Sequence, residues 1–135
     1  MSARRKARKR ALDFLYEADL RSANLLDLYQ SRPSEDLSQE GYVLTLLQGV
    51  TEHSAKIDEL IVTYAQGWDM DRMPAIDRNL LRLSIYEILW ESGLDDKIAV
   101  NEAVEMAAEI STTESSAYIN GVLGRIIAIK ASILD

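Results

Sequence analysis

The chain has 135 residues, 47% of them hydrophobic and 27% charged, a size and composition that fit one folded, soluble domain (residues 1–135) rather than a disordered polymer. It contains no cysteine, which excludes disulfides, thiolate nucleophiles and cysteine zinc sites and fits a reducing compartment, the cytoplasm by default. The net charge of −7 conceals a division: residues 1–10 carry Arg4, Arg5, Lys6, Arg8, Lys9 and Arg10 and no acid, while the remainder holds nine basic and 22 acidic residues, a net of −13. A basic end on an acidic body points to local capture of an anionic ligand and repulsion of polyanions elsewhere.

The spacing of Ala7, Ala11, Leu15 and Ala18 predicts a first helix over about Arg4 to Arg21, with cations around its first turns. Asp13, Glu17 and Asp19 interrupt the apolar run that a signal peptide would need, and no later run is long enough to span a bilayer, so neither secretion nor a membrane is expected. Leu25 to Tyr29 reads as a short helix, followed by a loop containing Pro33. From Gly41 the stripe Val43, Leu46, Leu47, Val50, Ile57, Leu60, Ile61 and Tyr64 predicts one long helix or two nearly collinear ones, with the rhythm broken near His53.

Gly67 should end that stretch, and Pro74 suits the first turn of the next helix. Leu80 to Trp90 is apolar around most of its circumference, which predicts the central, most buried helix. Gly93 should end it, and a further helix is expected from about Lys97 to Ile110. Ser111, Thr112 and Thr113 offer N-caps for a last helix, with Glu114 near its positive end. Asn120-Gly121 could signal a hairpin, but Tyr118, Val122 and Ile126 recur every four residues through it. A continuous helix is therefore expected, with Gly121 and Gly124 as points of close approach for another helix.

Enzymatic chemistry finds little support. His53 is the only histidine and lies on an apolar stripe, where a partly buried structural role outweighs a catalytic one. The six glycines form no phosphate-binding loop, and nothing singles out a pair of carboxylates for acid–base work. We expect no enzyme, cofactor or metal site. Six cations at a helix start can track a phosphate backbone, and Tyr16 and Tyr118 could supply platforms for splayed bases. The alternative, a solvated basic tail with both tyrosines in the core, stays open on these grounds.

Residues 5–11, Arg-Lys-Ala-Arg-Lys-Arg-Ala, followed by Leu15-Tyr16, Gly49-Val50, Ile57-Asp58, Ile76-Asp77-Arg78, Leu81-Arg82 and Tyr86-Glu87, resemble the NusB antitermination family. Residues 99–107, Ala-Val-Asn-Glu-Ala-Val-Glu-Met-Ala, and 118–123, Tyr-Ile-Asn-Gly-Val-Leu, resemble its two C-terminal signatures, and the likeness covers about residues 4–127. The resemblance implies an all-α fold of about seven helices in two packed subdomains, without catalysis. It also implies binding to the boxA RNA of ribosomal RNA transcripts together with NusE, a ribosomal protein, within an antitermination complex of RNA polymerase.

Carried over residue by residue, the resemblance places Arg4, Arg5, Lys6, Arg8, Tyr16, Glu114 and Tyr118 at the RNA and Asp77 on the side facing NusE. Asp77 is equally a favourable carboxylate in a helix's first turn. For Asn101 and Asn120, in the signature segments, a buried amide at a helix junction is favoured over ligand contact. Asp96 stands where the family often has proline, Ala108 replaces a frequent lysine, and Tyr118 replaces a usual phenylalanine. One rival is the N-terminal part of a ribosomal RNA cytosine methyltransferase, whose catalytic domain these residues do not supply. The other is a helical interaction module or homodimer that never touches RNA.

Overall fold

A computed structural model describes residues 2–32 and 40–134, so the expected loop around Pro33 lies outside the described residues. Helix α1 (Ala3–Arg21) starts where the Ser2 side chain accepts a hydrogen bond from the Arg5 amide, and α2 (Leu25–Gln30) where Asn24 accepts from the Asp27 amide. The stripe after Gly41 resolves into α3 (Glu40–Glu52) and α4 (Ser54–Tyr64), separated at His53, whose φ of −104° and ψ of 15° leave helical geometry. Gly67 and Gly93 take φ of +79° and +86°, the left-handed region that an L side chain resists, and so turn the chain into and out of α5 (Ala75–Trp90).

Pro74 caps α5 rather than occupying its first turn. Asp95 caps α6 (Asp96–Ile110), its carboxylate accepting from the Lys97 amide, and Thr112 caps α7 (Thr113–Ala128) by accepting from Ser115. Helix α7 runs unbroken through Asn120-Gly121, as its periodicity predicts. A short α8 (Lys130–Leu134), not anticipated from the sequence, brings the described helices to eight; no strand occurs among the described residues.

Helix α5 is the centre. Leu80, Leu81, Leu83, Ile85 and Ile88 are at most 2% exposed, and truncating any one of them to alanine should cost about 2–5 kcal/mol. On one side α5 packs against α1, α3 and α4; on the other against α6 and α7, which also pack closely together. Helix α4 also packs against α7, and all these helices share one continuous apolar core.

The close approach sits elsewhere than expected. A Cβ on Gly121 or Gly124 would meet nothing within 4 Å, because both lie on the outer face of α7. The glycine that admits a neighbour is Gly49 of α3, where a Cβ would fall 2.1 Å from the Tyr86 ring of α5. Nor are Asn101 and Asn120 buried amides: both are exposed, since each occupies the solvent side of its helix. The buried amide is Asn79, fully enclosed, donating to Asp19 and to the Ala75 carbonyl.

Candidate nucleic-acid interface

The basic start of the chain folds into α1, and the structure sorts its six cations by what each touches. Arg4 and Lys6 are exposed, with Arg4 placing its guanidinium 4.0 Å from the Tyr42 ring centroid, a cation–π contact. Arg5 reaches α6, donating through Nε to Glu102 and through Nη2 to Glu105. One turn on, the Lys9 ammonium lies 2.6 Å from Glu109. Successive cations of α1 therefore meet successive acids of α6 through their long side chains. The hydrogen bond that Arg5 donates to Glu102, together with that to Glu105, outweighs partial burial and holds the Arg5 guanidinium above its ordinary pKa; Lys9 draws the Glu109 carboxyl below its own.

Arg8 requires a correction. It is 3% exposed, and its Nε donates to both carboxylate oxygens of Glu87 on α5, at 2.8 and 3.0 Å. The Tyr42 hydroxyl donates to the same Glu87 at 2.5 Å. Burial works against the charge on Arg8, and the ion pair with Glu87 overcomes it. A side chain so enclosed is part of the α1–α3–α5 junction and does not reach a ligand on the surface. Arg10 is likewise occupied, donating to Glu40, which also accepts from Tyr29.

Tyr16 is half-buried, two turns beyond Lys9 on the same face of α1. The remaining expected residues gather at the start of α7. There Gly67, Trp68, Pro74, Thr112, Glu114, Ser115 and Tyr118 line a concavity of about 470 Å³, open to solvent. Trp68 and Tyr118 meet edge to face with centroids 4.5 Å apart, and the Tyr118 hydroxyl donates to the Gln66 carbonyl at 2.8 Å. Two half-exposed aromatic rings beside an exposed carboxylate, Glu114, offer a stacking surface and an acceptor for a base N–H.

Asp77 does not open onto this concavity. It is fully buried, accepting from the Ser115 hydroxyl at 2.7 Å through Oδ2, while Oδ1 has no partner among the described residues. Its carboxylate ties the first turn of α5 to the first turn of α7, beneath the lining formed by Ser115. Direct contact with a partner is therefore closed to Asp77 in this conformation.

Two features escaped the sequence reading. Trp68 sits in a connecting segment with no periodicity to flag it. The acids opposite α1 were legible in principle, since Glu102, Glu105 and Glu109 at spacings of three and four define one face of α6. No described helix is long and apolar enough to cross a membrane.

Helix order and packing place the chain among all-helical proteins built on a central helix. The NusB family model matches residues 5–128. The transcription antitermination protein NusB of Salinispora arenicola is 49% identical over 130 residues, covering 93% of this chain and 96% of that protein. That of Saccharopolyspora erythraea is 50% identical over 132 residues, covering 96% and 89%. The chain belongs to the NusB family, whose members are transcription antitermination factors and not enzymes. Among solved structures, T. maritima NusB superposes with a TM-score of 0.85 at 30% identity, covering 93% of this chain and 90% of that one. A chain from the crystal structure of antitermination factors NusB and NusE in complex with double-stranded RNA has the same fold, with a TM-score of 0.82 at 24% identity and coverage of 95% and 98%.

Proposed function

We propose that this chain acts in the cytoplasm as a single-domain antitermination factor that binds boxA RNA of ribosomal RNA transcripts together with NusE, and so helps RNA polymerase resist termination. The observation that carries the reading is the arrangement of one surface. The shallow pairs of Arg5 and Lys9, then Tyr16, follow one side of α1, flanked by exposed Arg4 and Lys6, while the C-terminal end of α6 leads directly into the concavity of Trp68, Glu114 and Tyr118. Phosphates engage the cations and a splayed base enters the aromatic concavity, a division between positioning and reading that single-stranded RNA recognition commonly uses.

Arg8 serves this surface by anchoring α1, and Asp77 serves the NusE side by positioning the start of α7 through Ser115. The test is titration of a boxA-like single-stranded RNA and a scrambled control, with and without NusE, at several salt concentrations. Preferential binding strengthened by NusE supports the reading. Equal binding of both RNAs and no effect of NusE would return the chain to the interaction-module alternative.

A further inference from the structure

We infer that the acidic face of α6 holds Arg5 and Lys9 of α1 in a self-paired state, and that RNA, met first by the exposed Arg4 and Lys6, reaches these two cations only by displacing the carboxylates. The inference rests on the reading that α1 is the RNA surface and adds how access to that surface is regulated.

The chemistry of the pairs supports exchange. Glu105 and Glu109 are 66% and 50% exposed, and their partners Arg5 and Lys9 keep 15% and 25% of their side chains in solvent, so water and ions reach each contact. Ion pairs of that exposure contribute little and can be traded for a phosphate of equal sign. The Arg8–Glu87 pair beside them is closed, at 4% and 2% exposure, and stays as a fixed anchor. Glu102 stands between the two kinds, 21% exposed, bonded to Arg5 and 3.5 Å from Arg8.

Self-pairing has a selective effect. An RNA that offers only phosphates replaces one set of anions by another and gains little. An RNA that also places a base in the Trp68–Tyr118 concavity adds stacking that the glutamates cannot supply. The device therefore suppresses unspecific binding by an otherwise strongly basic helix. It also weakens the salt dependence, because the freed carboxylates recapture cations as the phosphates release theirs.

The experiment compares the wild-type chain with Glu102→Gln/Glu105→Gln/Glu109→Gln and with Glu52→Gln/Asp69→Asn/Asp71→Asn. The second triple removes the same charge from acids that pair with no cation among the described residues. The probe is a scrambled single-stranded RNA, titrated across salt, with helicity and melting checked for each protein. Relative to the control triple, the α6 triple should bind about tenfold more tightly, and its log–log salt slope should be steeper by about 1.4, roughly 0.7 for each of the two cations released. The double Glu105→Gln/Glu109→Gln, which leaves Glu102 beside Arg8, should shift the same way and serves if the triple does not fold. Equal affinity and slope for the α6 and control variants overturn the inference. If Arg5→Ala still weakens RNA binding, the RNA reading stands without it; if no variant binds RNA at any salt, both fall.

Discussion

The Arg8 guanidinium and the Glu87 carboxylate form a buried ion pair, 2.8 Å apart, that joins α1 to α5 and is completed by the Tyr42 hydroxyl of α3. A cation in a basic cluster is naturally read as a ligand contact, and here one of the six is a structural part. Arg8→Ala leaves the Glu87 charge buried without its main partner and should destabilise the protein by about 3–5 kcal/mol. Urea denaturation should show a large fall in the midpoint for Arg8→Ala and almost none for Lys6→Ala, which is exposed. If Arg8→Ala kept the wild-type midpoint but lost RNA binding, the direct-contact role would have to be restored.

The two kinds of glycine in the helices should respond oppositely to alanine. At Gly49 the new methyl meets a Tyr86 ring that is itself 7% exposed and hydrogen-bonded to Glu91, so the ring cannot swing clear. Overpacking of this kind should cost about 1–3 kcal/mol, more than the helix-propensity gain. Gly121→Ala adds a methyl to open solvent in a helix and should stabilise by about 0.5–1 kcal/mol. Thermal melts of the two variants should therefore move in opposite directions.

Acid should loosen the junction of α1 and α5. Asp19 accepts from Arg78 at 2.8 Å, Asn79 at 2.9 Å and Arg82 at 3.1 Å. Burial alone would raise its pKa, but these donors outweigh it and hold the carboxyl below its ordinary 3.8. Hydrogen bonds from Arg32 and Arg21 likewise draw Glu17 down to about 2. Both groups are depressed in the folded state, so their contribution is complete above the unfolded values and is lost as pH falls through the folded ones. Stability measured by urea titration should decline from just above pH 4 toward pH 2, and Asp19→Asn should flatten that decline while lowering stability at neutral pH.

At the concavity, Tyr118→Phe removes only the hydroxyl bonded to the Gln66 carbonyl and should leave RNA affinity near wild type. Tyr118→Ala and Trp68→Ala remove a stacking surface and should each weaken binding of the preferred RNA by about 1–3 kcal/mol while barely affecting a scrambled one. Equal losses on both RNAs would mean that the rings do not read a base.

Much of the architecture was legible because local signals agreed. Thr112, from the expected Ser-Thr-Thr cluster, caps the last long helix, and the four-residue rhythm of Tyr118, Val122 and Ile126 correctly outweighed the Asn-Gly pair. Helix–helix relations were less accessible, because periodicity says which face is apolar and not what meets it. Hence the close approach was expected at Gly121 and Gly124 and is found at Gly49. The basic cluster failed for a related reason: charge counting located Arg5, Arg8 and Lys9 but could not show that acids about 80 to 100 residues later would fold against them.

The two tryptophans lie in unlike surroundings. Trp68 stands against Tyr118 in the candidate base site, whereas Trp90 is stacked on the only imidazole, ring centroids 3.8 Å apart and planes within 6°. The molecule therefore carries two separate optical reporters. Emission from a Trp90→Phe variant follows occupancy of the α7 concavity, and emission from a Trp68→Phe variant follows the packing of α5 against the α3–α4 break, so each can be watched without attaching a dye.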